Sequence, residues 1–215
     1  TDGPLTIDSG HIFSAYRAIQ VNNRSLTINN GIVESTNTAI YADGGSKQDS
    51  NNSPVVINIT GGQIYSQTNG IYGGCTYGSS SCKTRTLNMT GGQIKLNNSS
   101  TSTSYGIRTM NSVIINTGDR SIPALSVIST GASALGFSES NVTINNSSVY
   151  VSGSHNSSSI DSTYGINNTG STTLNMANST LTVSSDSWDS TYGIFGNDGL
   201  ITVENSIIDV SSTST

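Results

Sequence analysis

The sequence is poor in the residues that accompany disorder. Of its 215 residues, 10% are charged and 33% are hydrophobic, and only three each are proline, glutamate and lysine. Disordered chains of low hydrophobicity are usually enriched in those three residue types. The apolar residues lie instead in short alternating runs of Ile, Val and Leu, which favours a folded protein with a narrow core and a polar surface.

Long apolar runs and helical periodicity are also missing. No stretch of about 18 apolar residues occurs, so the sequence predicts no segment that inserts into a membrane. No segment has the pattern of an amphipathic helix. The chain opens with TDGP and shows no signal peptide, which we interpret as the start of a mature or excised fragment of a longer surface protein.

Positive charge is absent from the second part of the chain. Residues 1–120 carry 8 basic and 6 acidic groups, a net charge of +2, whereas residues 121–215 carry 7 acidic groups and no basic one, a net charge of −7. Binding to nucleic acid needs Lys and Arg at the phosphates, and contact with an anionic membrane surface needs a polybasic segment. The distribution argues against both partners.

Cysteine is scarce, and the two that occur, Cys75 and Cys82, share the segment GGCTYGSSSCKT. The six residues between them can close a small loop, so we predict a disulfide and an oxidising compartment rather than two free thiols. A zinc site is disfavoured because the spacing is wrong and no further cysteine or nearby histidine completes it.

A strand–turn–strand pattern recurs along the whole chain. Each copy has an alternating apolar run, a tight Gly/Asn turn and a second alternating run. The eight copies start at Leu5, Leu26, Val55, Thr86, Val113, Val142, Thr172 and Leu200. Between consecutive copies lies a small residue followed by an aliphatic one, at Ala18-Ile19, Ala39-Ile40, Gly70-Ile71, Gly106-Ile107, Ala134-Leu135, Gly165-Ile166 and Gly193-Ile194.

This repeat predicts an all-β fold, a right-handed parallel β-helix of about eight three-stranded coils that spans residues 1–215 as a single domain. The steps between copies fall in the range of solenoid repeats, and a coil buries its inward side chains only when it stacks on a neighbour. A hairpin at Asn30-Gly31 is the competing interpretation, but hairpins do not require a three-strand unit to recur. One interior row is expected from Ile7, Ile28, Ile57, Leu87, Ile115, Ile144, Leu174 and Val203.

Loop insertions are expected at one corner, between the second strand and the small–aliphatic pair. Three of these loops end at Tyr105, Tyr164 and Tyr192, which predicts a column of tyrosines. On the outer surface, one row of asparagines is expected from Asn29, Asn58, Asn88, Asn116, Asn145 and Asn175. Evenly spaced hydrogen-bonding groups of this kind suit a long partner with a repeat of its own, although turn asparagines also satisfy backbone groups.

The candidate ligand-binding residues cluster in the later loops. Trp188 is the only tryptophan, and it stands between Asp186 and Asp189, a combination that suits stacking on a sugar ring beside hydrogen-bonding groups. The other candidates are Tyr164, Tyr192, Asp161 and His155. Structural explanations compete, since Trp188 could cover the loop base and the tyrosines could stack on each other. No cofactor is expected; calcium at Asp161, Asp186 and Asp189 competes with ordinary Asx turns in solvated loops.

No catalytic arrangement emerges from the sequence. A glycoside hydrolase needs a pair of carboxylates at a set separation, and the strand carboxylates Asp8, Glu34, Glu204 and Asp209 are few and mostly several coils apart. Glu34 and Asp8 could be close, but we expect no Lys, Arg or His row beside them. We therefore predict no enzyme, with a polysaccharide lyase or depolymerase as the alternative.

The irregular repeats of the type LTINNGIVES, the polar exterior and the short Cys75–Cys82 segment resemble the passenger domain of a bacterial autotransporter adhesin. The resemblance implies secretion, display at the cell surface through a C-terminal outer-membrane domain, and adhesion to host glycans or matrix protein, or self-association that aggregates cells. The TGGQI segments also resemble extracellular carbohydrate-binding β-helix proteins, some of them calcium-assisted. A stalk that carries a binding tip elsewhere is a further alternative.

Overall fold

The computed structural model describes residues 4–22, 24–44, 54–74, 83–100, 102–130, 133–138, 140–154, 162–168, 172–186, 190–196 and 199–213. Within these ranges the chain forms strands and no helix, and so no helix long and apolar enough to cross a membrane. The strands make three sheets, and the paired neighbours in each sheet are parallel. The prediction of an all-β parallel solenoid is confirmed.

Each strand pairs with the strand three places later in the chain, which is the topology of a solenoid. Sheet A has the order β1 (Leu5–Ile7), β4 (Ser25–Ile28), β7 (Val55–Ile59), β10 (Arg85–Met89), β13 (Ser112–Ile115), β16 (Asn141–Asn145), β19 (Thr173–Ala177), β22 (Leu200–Glu204). Sheet B has the order β2 (His11–Ser14), β5 (Ile32–Ser35), β8 (Gln63–Ser66), β11 (Gln93–Asn98), β14 (Leu125–Ser129), β17 (Ser148–Gly153), β20 (Thr180–Ser185), β23 (Ile207–Ser212). Sheet C has the order β3 (Arg17–Asn22), β6 (Thr38–Asp43), β9 (Asn69–Gly74), β12 (Ser104–Arg108), β15 (Ala134–Ser138), β18 (Thr163–Asn168), β21 (Thr191–Gly196).

The core lies between the three sheets and consists of rows of aliphatic side chains. Because side chains alternate along a strand, every second residue of these runs points inward. In sheet B, for example, Val33, Ile64 and Ile94 lie in register on consecutive strands, and each is fully buried. At the C-terminal coil the inward residues Ile208 and Val210 are exposed.

The predicted interior row of sheet A is wrong in its register, because it mixes two rows. Ile28 pairs with Ile59 and not with Ile57, which pairs with Leu26 and Leu87 instead. One row therefore contains Ile7, Ile28, Ile59, Met89, Ile115, Ile144, Met176 and Val203. The other contains Leu5, Leu26, Ile57, Leu87, Val113, Val142, Leu174 and Ile201. A shift of two residues keeps a side chain on the same face, so alternation alone cannot distinguish the rows.

One small–aliphatic pair is also misassigned. Phe137, which is 1% exposed, pairs with Ile107 and Ile166, so the equivalent pair in this coil is Gly136-Phe137. The predicted Leu135 pairs with Tyr105 and Tyr164. Ala134-Leu135 and Gly136-Phe137 both place a small residue before an apolar one, so this pattern alone does not distinguish the two pairs.

The corner between sheets A and B uses two kinds of tight turn. In the TGGQ turns, Gly62 and Gly92 have positive φ angles of 79° and 75°, a conformation that favours glycine. In later coils the left-handed residue is an asparagine, Asn146 or Asn178. The glycine and asparagine versions of the repeat are therefore alternative solutions to one tight turn.

Serine hydroxyls join the later turns to each other. The Oγ of Ser179 donates to the carbonyl of Ala177 at 2.7 Å and accepts from the amide of Ser147 at 3.2 Å. Ser206 does the same for Ser179, whose amide donates to the Ser206 Oγ at 3.1 Å. These bonds satisfy turn amides that the sheets leave unpaired.

The prediction of insertions at a single corner is wrong. The segments 44–54 and 75–84 lie between strands of sheet C and strands of sheet A. The segment 116–124 lies between sheets A and B, and the segment 154–162 lies at the predicted corner, between sheets B and C. Each of the three corners thus carries an insertion in at least one coil.

The predicted asparagine row is also divided. Asn58 and Asn88 are neighbours in sheet A, and the Nδ2 of Asn88 donates to the Oδ1 of Asn58 at 3.1 Å. Asn29 instead follows β4 at the turn, where it donates to Asp8 at 2.7 Å and accepts from Thr60 at 2.8 Å. Asparagine on this sheet therefore serves both the outer face and the turns.

Candidate binding surfaces on sheets B and C

Most of the loop candidates lie outside the described residues. These are Trp188, Asp189, Asp161 and His155, together with Cys75 and Cys82 of the predicted disulfide. Asp186 is described: it follows β20, it is exposed, and its Oδ2 accepts a hydrogen bond of 2.9 Å from the Oγ of Ser154. The described residues contain no cluster of three or more His, Cys, Asp or Glu side chains, and calcium at the aspartates stays a prediction.

The tyrosine column is formed in part. Tyr164 and Tyr192 lie in register on the outer face of sheet C, with ring centroids 5.0 Å apart and an interplanar angle of 10°. Phe195 packs edge-on against both rings. Tyr105 is separated from them by the coil of Leu135, so the three tyrosines do not form one continuous stack.

The outer face of sheet B carries a row of aromatic and charged side chains that sequence analysis missed. In register from the N-terminal coil, the row contains Phe13, Glu34, Tyr65, Lys95, Ser126, Tyr150, Thr182 and Asp209. Phe13 is 61% exposed. Aromatic rings therefore recur along one straight line with charged and hydroxyl groups between them.

A groove runs beside this row. Its first wall is formed by Glu34, Tyr65, Lys95 and Ser126. Its second wall is formed by the outward residues two positions later, Thr36, Gln67, Asn97 and Ile128. The groove has a volume of about 400 Å³ and crosses four coils, which corresponds to roughly 14 Å along the axis at about 4.8 Å per strand. We call it the sheet B groove.

Residues of the first wall make contacts with neighbouring side chains on sheet B. The Tyr65 hydroxyl donates to the Oε1 of Gln63, and the Lys95 ammonium lies 5.9 Å from the Tyr65 ring centroid, within the range of a cation–π contact. Glu34 pairs with His11, with 2.8 Å between Oε2 and Nε2. Tyr65 thus lies in register between two charged neighbours of opposite sign.

Glu34 is paired with one histidine, His11, although no row of Lys, Arg or His was expected beside it. The two residues lie on consecutive strands of sheet B, and their side chains are 51% and 42% exposed. Asp8 belongs to a different hydrogen-bonding system, because its Oδ1 accepts from Asn29 at the turn. Glu34 therefore contacts His11, and Asp8, which the sequence allowed to lie close to Glu34, is bonded to Asn29 instead.

The outer face of sheet C carries tyrosines packed against arginines. Arg17 lies 3.6 Å from the ring centroid of Tyr41, and Arg108 lies 4.6 Å and 4.2 Å from those of Tyr72 and Tyr105. Tyr41 and Tyr72 meet edge to face at 5.4 Å. We call Arg17, Tyr41, Tyr72, Tyr105 and Arg108 the tyrosine–arginine surface.

Arg85 borders this surface, and burial shifts the pKa of both Arg85 and Tyr41. Burial, and then the negative charge of Asp43, raises the pKa of Tyr41, whereas Arg17 acts in the opposite direction. Burial lowers the pKa of Arg85, whose Nη1 donates to the carbonyls of Gly73 and Gly74 at 3.1 and 2.8 Å. A phenol with a raised pKa is a hydrogen-bonding group at neutral pH and not a base, so this corner is suited to structure and binding.

Sequence analysis missed these surfaces because their members on successive coils are 21 to 36 residues apart and meet only through the register. The signal was present in the repeat, because Glu34, Tyr65 and Lys95 are each the third residue of their strand, β5, β8 and β11 respectively.

No family model, curated protein or solved structure matches the chain.

Proposed function

We propose that this chain is a non-enzymatic adhesin that binds an extended glycan along the sheet B groove. One observation carries the proposal: Tyr65 lies between Glu34 and Lys95 on one wall of an open groove, opposite the amides of Gln67 and Asn97. An aromatic ring offers a face for the C–H groups of a sugar, and the flanking polar groups can pair with its hydroxyls. Ligand sites commonly combine apolar surface with a few placed polar groups in this way.

The direction of the groove favours a polymer over a small molecule. Its walls are rows that run along the solenoid, so equivalent positions recur at about 4.8 Å per coil. Phe13 and Tyr150 continue the same row beyond the two ends of the groove. A long partner with a regular repeat can therefore make the same kind of contact several times, and weak contacts then add up.

The proposal includes the finer architecture, a right-handed helix of eight three-stranded coils. Eight strands in sheet A, eight in sheet B and seven in sheet C support this count. Crossovers between parallel strands of one sheet are right-handed in nearly all known cases, which supports the hand.

Display at the cell surface is part of the same proposal and is supported by the resemblance of the polar repeats to autotransporter passengers. Matrix protein and a second passenger are the other partners that such a lateral face could bind. The groove favours the glycan because its walls place one aromatic ring among charged and amide groups.

We expect Tyr65→Ala to weaken binding about tenfold, because removal of a central aromatic contact typically costs more than 1 kcal/mol. A glycan array with the wild-type chain would identify the ligand, and isothermal titration calorimetry would measure its affinity. Tyr16→Ala is the matched control, since Tyr16 is 62% exposed and lies outside both the groove and its aromatic row, and its affinity should stay near that of the wild type.

An array without any bound glycan, or equal affinities for wild type and Tyr65→Ala, would contradict the proposal.

The His11–Glu34 pair supports the second candidate, a polysaccharide-cleaving enzyme, because a carboxylate beside an imidazole can transfer protons. Incubation with neutral and acidic polysaccharides followed by assays for reducing ends and unsaturated products separates the two. If the wild-type chain cleaves a polysaccharide and Glu34→Gln abolishes the cleavage, the enzyme hypothesis replaces the adhesin hypothesis.

A further inference from the structure

Arg108 on sheet C carries a positive charge that the described part of the chain leaves without a hydrogen-bond or ion-pair partner. Its guanidinium carbon lies 4.6 and 4.2 Å from the ring centroids of Tyr72 and Tyr105. Its Nε is buried and has no hydrogen-bond partner. The arginines nearby differ: Arg17 donates to Gln20 at 3.1 Å, and Arg85 donates to Asn111 at 3.1 Å and to two carbonyls.

A second unpartnered polar atom lies in the same outer row. Arg108 is in register with Ser138, and Ser138 is in register with Asn167, whose Oδ1 is buried without a hydrogen-bond partner. The three residues span two coil steps, or roughly 10 Å. A buried polar atom without a partner is costly, and here two of them belong to side chains that are partly exposed on one short outer row.

Aromatic rings border this polar row on the neighbouring row of the sheet. Tyr105 and Tyr164 are in register on either side of Leu135, which is 5% exposed. These two half-buried rings, separated by two coils with the apolar Leu135 between them, form an aromatic border to the polar row. The guanidinium of Arg108, the hydroxyl of Ser138 and the amide of Asn167 lie on the row beside these rings.

From these contacts we infer a second binding site, specific for an acidic sugar, at Arg108, Ser138 and Asn167. The planar guanidinium matches a carboxylate in a bidentate arrangement, while Ser138 and Asn167 are placed to bond sugar hydroxyls. Asp43 lies on β6, two coils from Arg108, and its negative charge acts on Tyr41 and Arg85. The site therefore takes a uronic-acid unit of a glycan, and it is independent of the sheet B groove.

The test is titration of the whole chain with a short oligogalacturonide and with a neutral galactose oligomer of the same length. We expect the acidic oligomer to bind and the neutral one to bind at least about tenfold more weakly, since hydrogen bonds to charged groups contribute about 1.5–3 kcal/mol. Arg108→Gln should reduce affinity for the acidic oligomer about tenfold, and Arg108→Lys, which keeps the charge but not the fork, should reduce it less.

Arg17→Gln is the matched control, because Arg17 also lies on a tyrosine but already has Gln20 as a partner, and it should leave the affinity unchanged. Tyr65→Ala should also leave this affinity unchanged, which keeps failure of the groove distinct from failure of this site. Equal binding of both oligomers, no binding of the acidic one, or full affinity in folded Arg108→Gln would overturn the inference. Asn167→Ala, which leaves Arg108 in place, provides a second variant if Arg108→Gln does not fold, and it should also weaken binding of the acidic oligomer.

Discussion

Replacing Phe137 with alanine is expected to lower the free energy of unfolding by about 3–5 kcal/mol, the usual cost of removing a buried phenylalanine. Phe137 is 1% exposed and lies between Ile107 and Ile166 in the inward row of sheet C. Neighbouring coils cannot close the cavity easily, because their spacing is fixed by the hydrogen bonds between parallel strands. Urea unfolding followed by far-ultraviolet circular dichroism measures the change.

Phe13→Ala is the control for this prediction, because it removes the same side chain from the outer face of sheet B, where Phe13 is 61% exposed. We expect a change within about 0.5 kcal/mol, as for most surface substitutions. Equal losses for Phe13→Ala and Phe137→Ala would show that Phe137 does not lie in the core.

Gly91→Ala is expected to destabilise the protein by about 3 kcal/mol, the upper end of the cost of overpacking. A Cβ at Gly91 would lie 2.2 Å from the carbonyl oxygen of Thr60 and 2.9 Å from its carbon. These are backbone atoms of the preceding coil, and the amides of Thr90 and Gly91 are bonded to the carbonyl of Ile59 at 2.8 and 3.3 Å. The two coils can therefore separate only by losing hydrogen bonds.

Gly118→Ala separates this steric effect from backbone strain. Gly118 has a φ of 73°, and a Cβ there would meet no atom within 4 Å. We expect a loss of about 1 kcal/mol from the left-handed conformation alone. A loss at Gly91 no larger than that at Gly118 would mean that consecutive coils do not approach each other at the TGGQ turn.

The recurring alternation was sufficient to predict parallel stacked strands but not their register. Ile57 and Ile59 are both buried and both point inward, so either could have been aligned with Ile28. The choice depends on how the intervening turns place the strand ends, which a period of two does not report. The misassigned pair at Ala134-Leu135 has the same origin.

The candidate site was harder to predict than the fold because it depends on the register. Trp188 attracts attention through its residue type, and its loop lies outside the described residues. Tyr65 and Lys95 are ordinary residues in a polar sequence, and their alignment with Glu34 follows only from the pairing of β5, β8 and β11. A register wrong by two residues would have placed different side chains in the row.

The distance between spin labels on the outer face of sheet A tests the stacked-coil arrangement most directly. Thr27, Thr143 and Thr202 belong to one row, with four strand steps from the first to the second and six to the third. At about 4.8 Å per step, the Cα distances should be roughly 19 Å for Thr27–Thr143 and roughly 29 Å for Thr27–Thr202. Pulsed electron spin resonance on the two doubly labelled cysteine variants should show this increase, whereas equal distances or a shorter second distance would contradict the stacked coils and the binding rows that depend on them.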